Sequence, residues 1–195
     1  MRHGMLEQRL GTLMDEWYDV RLKEPEKMIT VKGTIDALVD RLPFIEEKWR
    51  MEYTILNYGH AVLNAQSDHA IRHYYEMLPK LYKFTERQLY FASFFKGTEA
   101  FSQGKLLQAL KHYKEALRLL KYVPRVVEEG EIYFKIACVY YKIGAYHTAN
   151  RFLHRALFIY SGERGYPERV DACKLLFSLI RRKPNPKWQW GCASL

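Results

Sequence analysis

The sequence predicts an all-α protein: an N-terminal three-helix bundle joined by a linker helix to a short tetratricopeptide-type α-solenoid. Three observations carry that expectation. Apolar residues recur every three or four positions along most of the chain, the period of helices with one buried face. Aromatic residues make up 15% of the 195, against only 11 Gly and 7 Pro to break helices. A glycine and alanine pattern also returns after forty residues, the mark of stacked helical hairpins. Hydrophobic residues at 48% and charged residues at 27% suit a globular chain and exclude a disordered one.

Leu6, Leu10, Leu13, Trp17 and Val20 form the stripe of a first helix. It should end near Lys23-Glu24, because the residue before Pro25 avoids helical geometry. Pro25 suits the first turn of a second helix, striped by Met28, Val31, Ile35, Leu38 and Leu42. Pro43 stops that helix and opens a third, striped by Ile45, Trp49, Tyr53, Leu56, His60 and Leu63. Connections this short make neighbours alternate in direction, so residues 1–65 are expected to form the bundle. Residues 66–84 are expected to be a linker helix capped by Ser67 or Asp68. Its stripe is Ile71, Tyr74, Leu78 and Leu81, with a kink or break at Pro79. Thr85 and Gln88 have capping-box spacing and open a fifth helix carrying Phe91, Phe94, Phe95 and Phe101. Gly104 closes it in left-handed geometry.

Gly104, Ala109, Ala116 and Leu117 return as Gly144, Ala149, Ala156 and Leu157. Alanine is required where one helix backbone approaches the next, and a larger residue fills the space between. The period exceeds the usual ~34 residues, and the surplus fits the link from Lys121 to Glu131. A third unit begins at Pro167, with Val170, Cys173, Leu176 and Ile180 on one face. Residues 85–181 thus hold about two and a half repeats. The register then fails, since Pro184 and Gln189 stand where glycine and alanine are due. Residues 182–195 are an irregular tail without periodicity. The expectation is a truncated array with an out-of-frame tail, its uncapped last helix exposing Leu175, Leu176 and Leu179.

The formal charge of +9 is uneven: residues 1–66 hold 9 Lys+Arg against 11 Asp+Glu, leaving 22 against 11 for residues 67–195. The basic part reads as a solvated helical surface favouring acidic partners. With no helix-turn-helix or Cys/His finger spacing, nucleic acid is not an expected partner. Nor is a membrane, since no stretch approaches the ~18 apolar residues of a spanning helix. The odd number of cysteines (Cys138, Cys173, Cys192) and the lack of an N-terminal apolar signal favour a cytoplasmic, reducing home. Cys138 and Cys173 read as small buried fillers. His69, His73 and Glu76 share one helical face but come from a single element, so they read as solvated polar residues rather than a metal site. No phosphate loop or nucleophile elbow appears. No cofactor and no metal are expected.

Glu16-Trp17-Tyr18 in the first helix and Tyr58-Gly59-His60 closing the third are followed by Phe94-Phe95-Lys96-Gly97 with Phe101. Ala109 through Tyr113-Lys114-Glu115-Ala116 come next, then Tyr133-Phe134-Lys135 and Tyr140-Tyr141. In this order the chain resembles the Rap family of response regulator aspartate phosphatases, whose members continue with more repeats. The resemblance implies that bundle, linker and repeats bind a bacterial response regulator in the two-component signalling of quorum sensing, sporulation and competence. Some members are hydrolases that insert a glutamine from the third helix to orient water onto the phosphoaspartate. Others occupy the DNA-binding domain of the regulator. A short signalling peptide binds inside the repeats and releases the regulator, which needs several consecutive repeats.

The position matching the family's catalytic glutamine, counted back from His60, is Glu47. Two residues from Ile45 it lies about 200° around the helix, off the apolar stripe. An ionised glutamate only accepts hydrogen bonds, whereas the glutamine amide both donates and accepts. Dephosphorylation and sequestration therefore both stay open. Glu46, Glu47, Arg50, Thr54 and Asn57 are the expected partner-binding residues. The rival expectation is a non-catalytic helical-repeat adaptor or an inactive truncated remnant.

Overall fold

A computed structural model describes residues 2–123 and 125–183, and among these it contains helices and short 3-10 turns but no strand. The helices are α1 (Arg2–Lys23), α2 (Met28–Val39), α3 (Glu47–Leu63), α4 (Ser67–Met77), α5 (Glu86–Ser102), α6 (Leu106–Leu119), α7 (Val126–Ile143), α8 (Tyr146–Gly162) and α9 (Pro167–Arg181). The expected tail from Pro184 onward, with Gln189 and Cys192, lies outside the described residues.

Local sequence accounts for most of the boundaries. Pro25 sits in a 3-10 turn, Pro25–Lys27, that turns α1 into α2. The α2 stripe Met28, Val31, Ile35 and Leu38 is buried as its spacing requires, and so is Leu42 beyond the helix end. The capping box forms: Thr85 Oγ1 accepts from the Gln88 N–H at 3.3 Å, and Gln88 Oε1 accepts from the Thr85 N–H at 3.1 Å. Gly104 and Gly144 take left-handed φ of 72° and 88°, which a side chain would oppose. The four repeat alanines, Ala109, Ala116, Ala149 and Ala156, are each fully buried.

Other boundaries differ from expectation. Pro43 does not open α3, which begins at Glu47, so Ile45 precedes the helix. Ser67 is the first residue of α4, and no side chain caps that helix. Of the kink or break expected at Pro79, the structure has the break, and Leu78–Lys83 becomes a 3-10 turn because proline cannot donate into an α-helical ladder. The buried side of α3 is broader than one stripe, with Met51, Glu52, Ile55, Leu56, Tyr58, Gly59 and Ala61 all inside. The helix is enclosed by α1, α4 and α5. At the last helix only Leu175 is strongly exposed, while Leu176 is buried against α7 and α8.

Hairpins α3/α4, α5/α6 and α7/α8 stack in order, with α9 against α8. One apolar core runs from Leu10 and Trp17 through Ile55, Phe91 and Phe95 to Tyr113 and Ile136. A second, around Ala137, Leu153, Tyr160 and Cys173, also takes in Leu22 of α1. Two glycines allow close approaches between helices of the stacked hairpins. A Cβ on Gly59 would stand 2.3 Å from Phe95 Cε2, and one on Gly97 would stand 2.6 Å from Tyr113 Cδ1.

Polar links tie α1 to the later helices. The Arg21 Nη2 donates to both Glu128 oxygens at 2.6 and 2.8 Å, with both side chains out of solvent. Tyr90 OH donates to Glu128 Oε2 at 3.2 Å, and the guanidinium lies over Phe94 and Phe95. Asp19 pairs with Arg125 at 2.5 Å. Arg169 of α9 donates to the carbonyls of Arg21 and Leu22 while pairing with Glu131. Burial alone would push the Glu131 carboxyl up, but Arg169, Lys135 and Arg21 outweigh it and hold it at about 2.

Removing one partner of a buried ion pair leaves an unpaired charge, which costs about 3–5 kcal/mol. Arg21→Ala is therefore expected to lower unfolding stability by that amount in urea titrations. Replacing both partners, Arg21→Met with Glu128→Leu, should recover most of the loss.

Candidate functional site

The exposed start of α3 gathers the expected partner-binding residues. The preceding chain is fixed from α1: the Glu46 N–H donates to Glu7 Oε1 at 3.1 Å. The Glu46 carboxylate pairs with Lys48 at 3.0 Å. Glu47 opens the helix and faces solvent, where its Oε1 accepts from Lys83 Nζ at 2.6 Å. Lys83 is the last residue of the 3-10 turn after α4, so the break at Pro79 sets it opposite the start of α3. Hydrogen bonding and charge from Lys83 hold the Glu47 carboxyl below the usual carboxylate range, and Glu47 raises Lys83 in return.

One turn on, Arg50 is exposed and its Nη2 donates to the Ile45 carbonyl at 3.2 Å. Thr54 Oγ1 donates to the Arg50 carbonyl at 2.8 Å, leaving the hydroxyl half-buried on its own helix. Asn57 is half-buried too, and its Oδ1 is out of solvent without a hydrogen bond. Glu46, Glu47 and Arg50 thus form the accessible part of the set, while Thr54 and Asn57 sink toward the core.

Beside this line, Tyr53 OH donates to Asp36 Oδ1 of α2 at 2.6 Å. Burial and Asp36 both push the phenol above its usual range. His60 lies half-buried near Trp17, at 6.1 Å between rings. Burial, then Lys32, lower the imidazole pKa against the pull of Asp36. The His60 Nδ1 is buried without a hydrogen-bond partner among the described residues. The rest of the helix is committed to structure: Glu52 is buried and accepts from Arg87 at 2.9 Å and Gln88 at 3.1 Å.

The other groups singled out from sequence stay apart. His73 Nδ1 lies 3.1 Å from Glu76 Oε2, His69 is exposed, and no set of three metal-ligating side chains assembles among the described residues. Burial pushes the Cys138 thiol up to about 11 and the Cys173 thiol up to about 12, so neither is a ready nucleophile. No helix among the described residues is long and apolar enough to cross a membrane. Lys83 is the residue that sequence reasoning missed. It lies 36 residues from Glu47, and no periodic signal joins the two.

Chemically, the face offers carboxylates, a guanidinium and an ammonium at the start of a fixed helix. It can hold a protein surface by charged hydrogen bonds. The Glu47 carboxylate accepts hydrogen bonds and cannot donate them while ionised.

No family model matches the chain. The regulatory protein RapD of Bacillus subtilis strain 168 is 25% identical over 176 residues, covering 89% of this chain and 49% of RapD. Response regulator aspartate phosphatase H of the same organism is 24% identical over 187 residues, covering 87% of this chain and 48% of that protein. The crystal structure of a Rap protein complexed with competence and sporulation factor superposes with a TM-score of 0.78 at 22% identity, over 89% of this chain and 49% of the other. That likeness shows the fold. The chain spans about half the length of the curated relatives it matches.

Two measurements check this geometry. Lys83→Ala should move the Glu47 carboxyl titration, followed by NMR, up toward the ordinary range while the thermal midpoint stays unchanged. Because the folded imidazole of His60 protonates less readily than the unfolded one, the unfolded chain takes up more protons as pH falls below about 6.5. Stability should therefore decline below that pH, and less steeply in His60→Gln.

Proposed function

For a chain related to the Rap family of response regulator aspartate phosphatases over almost its whole length, we propose that it binds a bacterial response regulator and dampens its signalling by sequestration. The front helices, residues 1–65, with 66–84 as linker, supply the docking face. The observation that carries this reading is Glu47. It stands where the family resemblance expects a water-orienting glutamine, yet it is an exposed carboxylate kept ionised by Lys83 at 2.6 Å. An acceptor-only group cannot donate to a phosphoryl oxygen, and its charge repels one. Docking does not need that donor. By the same likeness, a short signalling peptide would seat inside the repeats of residues 85–181 and release the regulator.

The test is a panel of phosphorylated receiver domains incubated with the full chain, with co-purification in parallel. Phosphate loss should run no faster than without the protein, while one regulator is retained. The charge reversals Glu47→Lys and Arg50→Glu together should weaken retention about tenfold, near 1.4 kcal/mol. Accelerated phosphate loss would turn the reading toward a phosphatase, and retention unaffected by the reversals would remove α3 as the docking face.

A further inference from the structure

We propose that the outer face of α6, α7 and α8 is a second docking surface, separate from α3, and that it takes an acidic segment of a partner protein. The basic surplus of residues 67–195 is concentrated outward by the way α7 spends its carboxylates. Glu128 and Glu131 are fully enclosed and engaged with Arg21 and Arg169. Glu129 accepts from Tyr133 OH at 2.9 Å. The 17 residues of α8 contain no Asp or Glu at all. Helix α6 has Glu115 alone, already paired with Arg118 at 2.9 Å. Ordinary solvated helices mix both signs along one face; α8 carries no acidic residue, and α6 has a single carboxylate that is already paired.

The cations meet along one ridge. A cavity of about 460 Å³ opens between α6 and α7, with Arg118, Lys121, Arg125 and Tyr133 in its lining beside Glu129, which accepts from the Tyr133 hydroxyl. Across Tyr133, the Arg155 guanidinium lies 5.5 Å from the ring centre. Arg155 and Arg151 border a further hollow of about 120 Å³ on α8. Lys121, Arg151 and Arg155 are exposed, and none forms an ion pair among the described residues. An anionic chain crossing the ridge would meet Arg118 and Lys121 on one side and Arg151 and Arg155 on the other.

The rings decide which polyanion fits. Stacking of nucleic acid bases needs open aromatic faces. Along the ridge Arg155 lies over Tyr133, Tyr140 and Phe152 stack on each other at 5.7 Å and 13°, and the exposed rings of Phe158 and Tyr122 line neither hollow. Carboxylates need only donors, and arginine supplies them in pairs.

The probe is fluorescein-labelled oligoglutamate, titrated with the full chain by fluorescence anisotropy. Binding is expected at about 50 mM salt and should weaken at least about tenfold at about 300 mM, as screening shortens the reach of the charges. Arg151→Glu with Arg155→Glu should weaken it by about tenfold or more at low salt, with helical circular dichroism retained. Arg151→Gln with Arg155→Gln should give a smaller loss, and carries the test should the reversal not fold. The α3 reversals should bind the probe as the parent does, which separates this face from the regulator-binding reading. Absence of binding, equal binding by the arginine variants, or tighter binding of a labelled oligodeoxythymidine would overturn the proposal.

Discussion

Arg21 is a permanent charge placed on the inner side of α1, where water does not reach, and the surrounding helices are arranged to satisfy it. Glu128 supplies two acceptor contacts, Tyr90 holds that carboxylate in place, and Phe94 and Phe95 receive the guanidinium face. A charge enclosed this way is tolerated only with its counter-ion. The pair therefore does less to add net stability than to forbid alternatives: α1 cannot shift along α5 and α7 without stranding both charges. A net stability of ~5–15 kcal/mol is typical of domains, and one stranded charge would take much of it.

The same logic positions the start of α3. Arg87 of α5 bridges Glu52 of α3 and Asp15 of α1, and it lies over the Tyr18 and Phe91 rings. These links fix the inner side of α3, so Glu47 and Arg50 are presented outward by a helix with little freedom to rotate. The ion pair between Glu47 and Lys83 is of another kind. Both groups face water, and such pairs set local charge more than they hold structure.

Much of this was legible in the chain, because helical period, proline position and small-residue spacing act locally. The α2 stripe, the Thr85–Gln88 box, the left-handed Gly104 and Gly144, and the buried repeat alanines all follow from residues within a turn or two. What failed to show was set by distant partners. The burial of Glu52 left no local signal, because its partners Arg87 and Gln88 are 35 and 36 positions away. The α3 stripe looked narrow because its contacts with α1, α4 and α5 widen the buried side. Ile45 kept the helical spacing, but the chain before Glu47 is held by Glu7 instead. At the candidate site, sequence placed Glu47, Arg50 and their exposure, but not Lys83, which comes into position only through the break at Pro79.

The partners of Arg21 also impose an order of events. Glu128 lies 107 positions further along, and Arg169, which grips the carbonyls at the end of α1, lies 148 beyond Arg21. Contacts of such separation form late, after chain closure has been achieved by nearer ones. On the ribosome, where synthesis runs at about 5–20 residues per second, the first helix must wait several seconds for the acidic residue that neutralises it. Until then its guanidinium has to stay hydrated and the helix undocked, so α1 is among the last helices to reach its resting place.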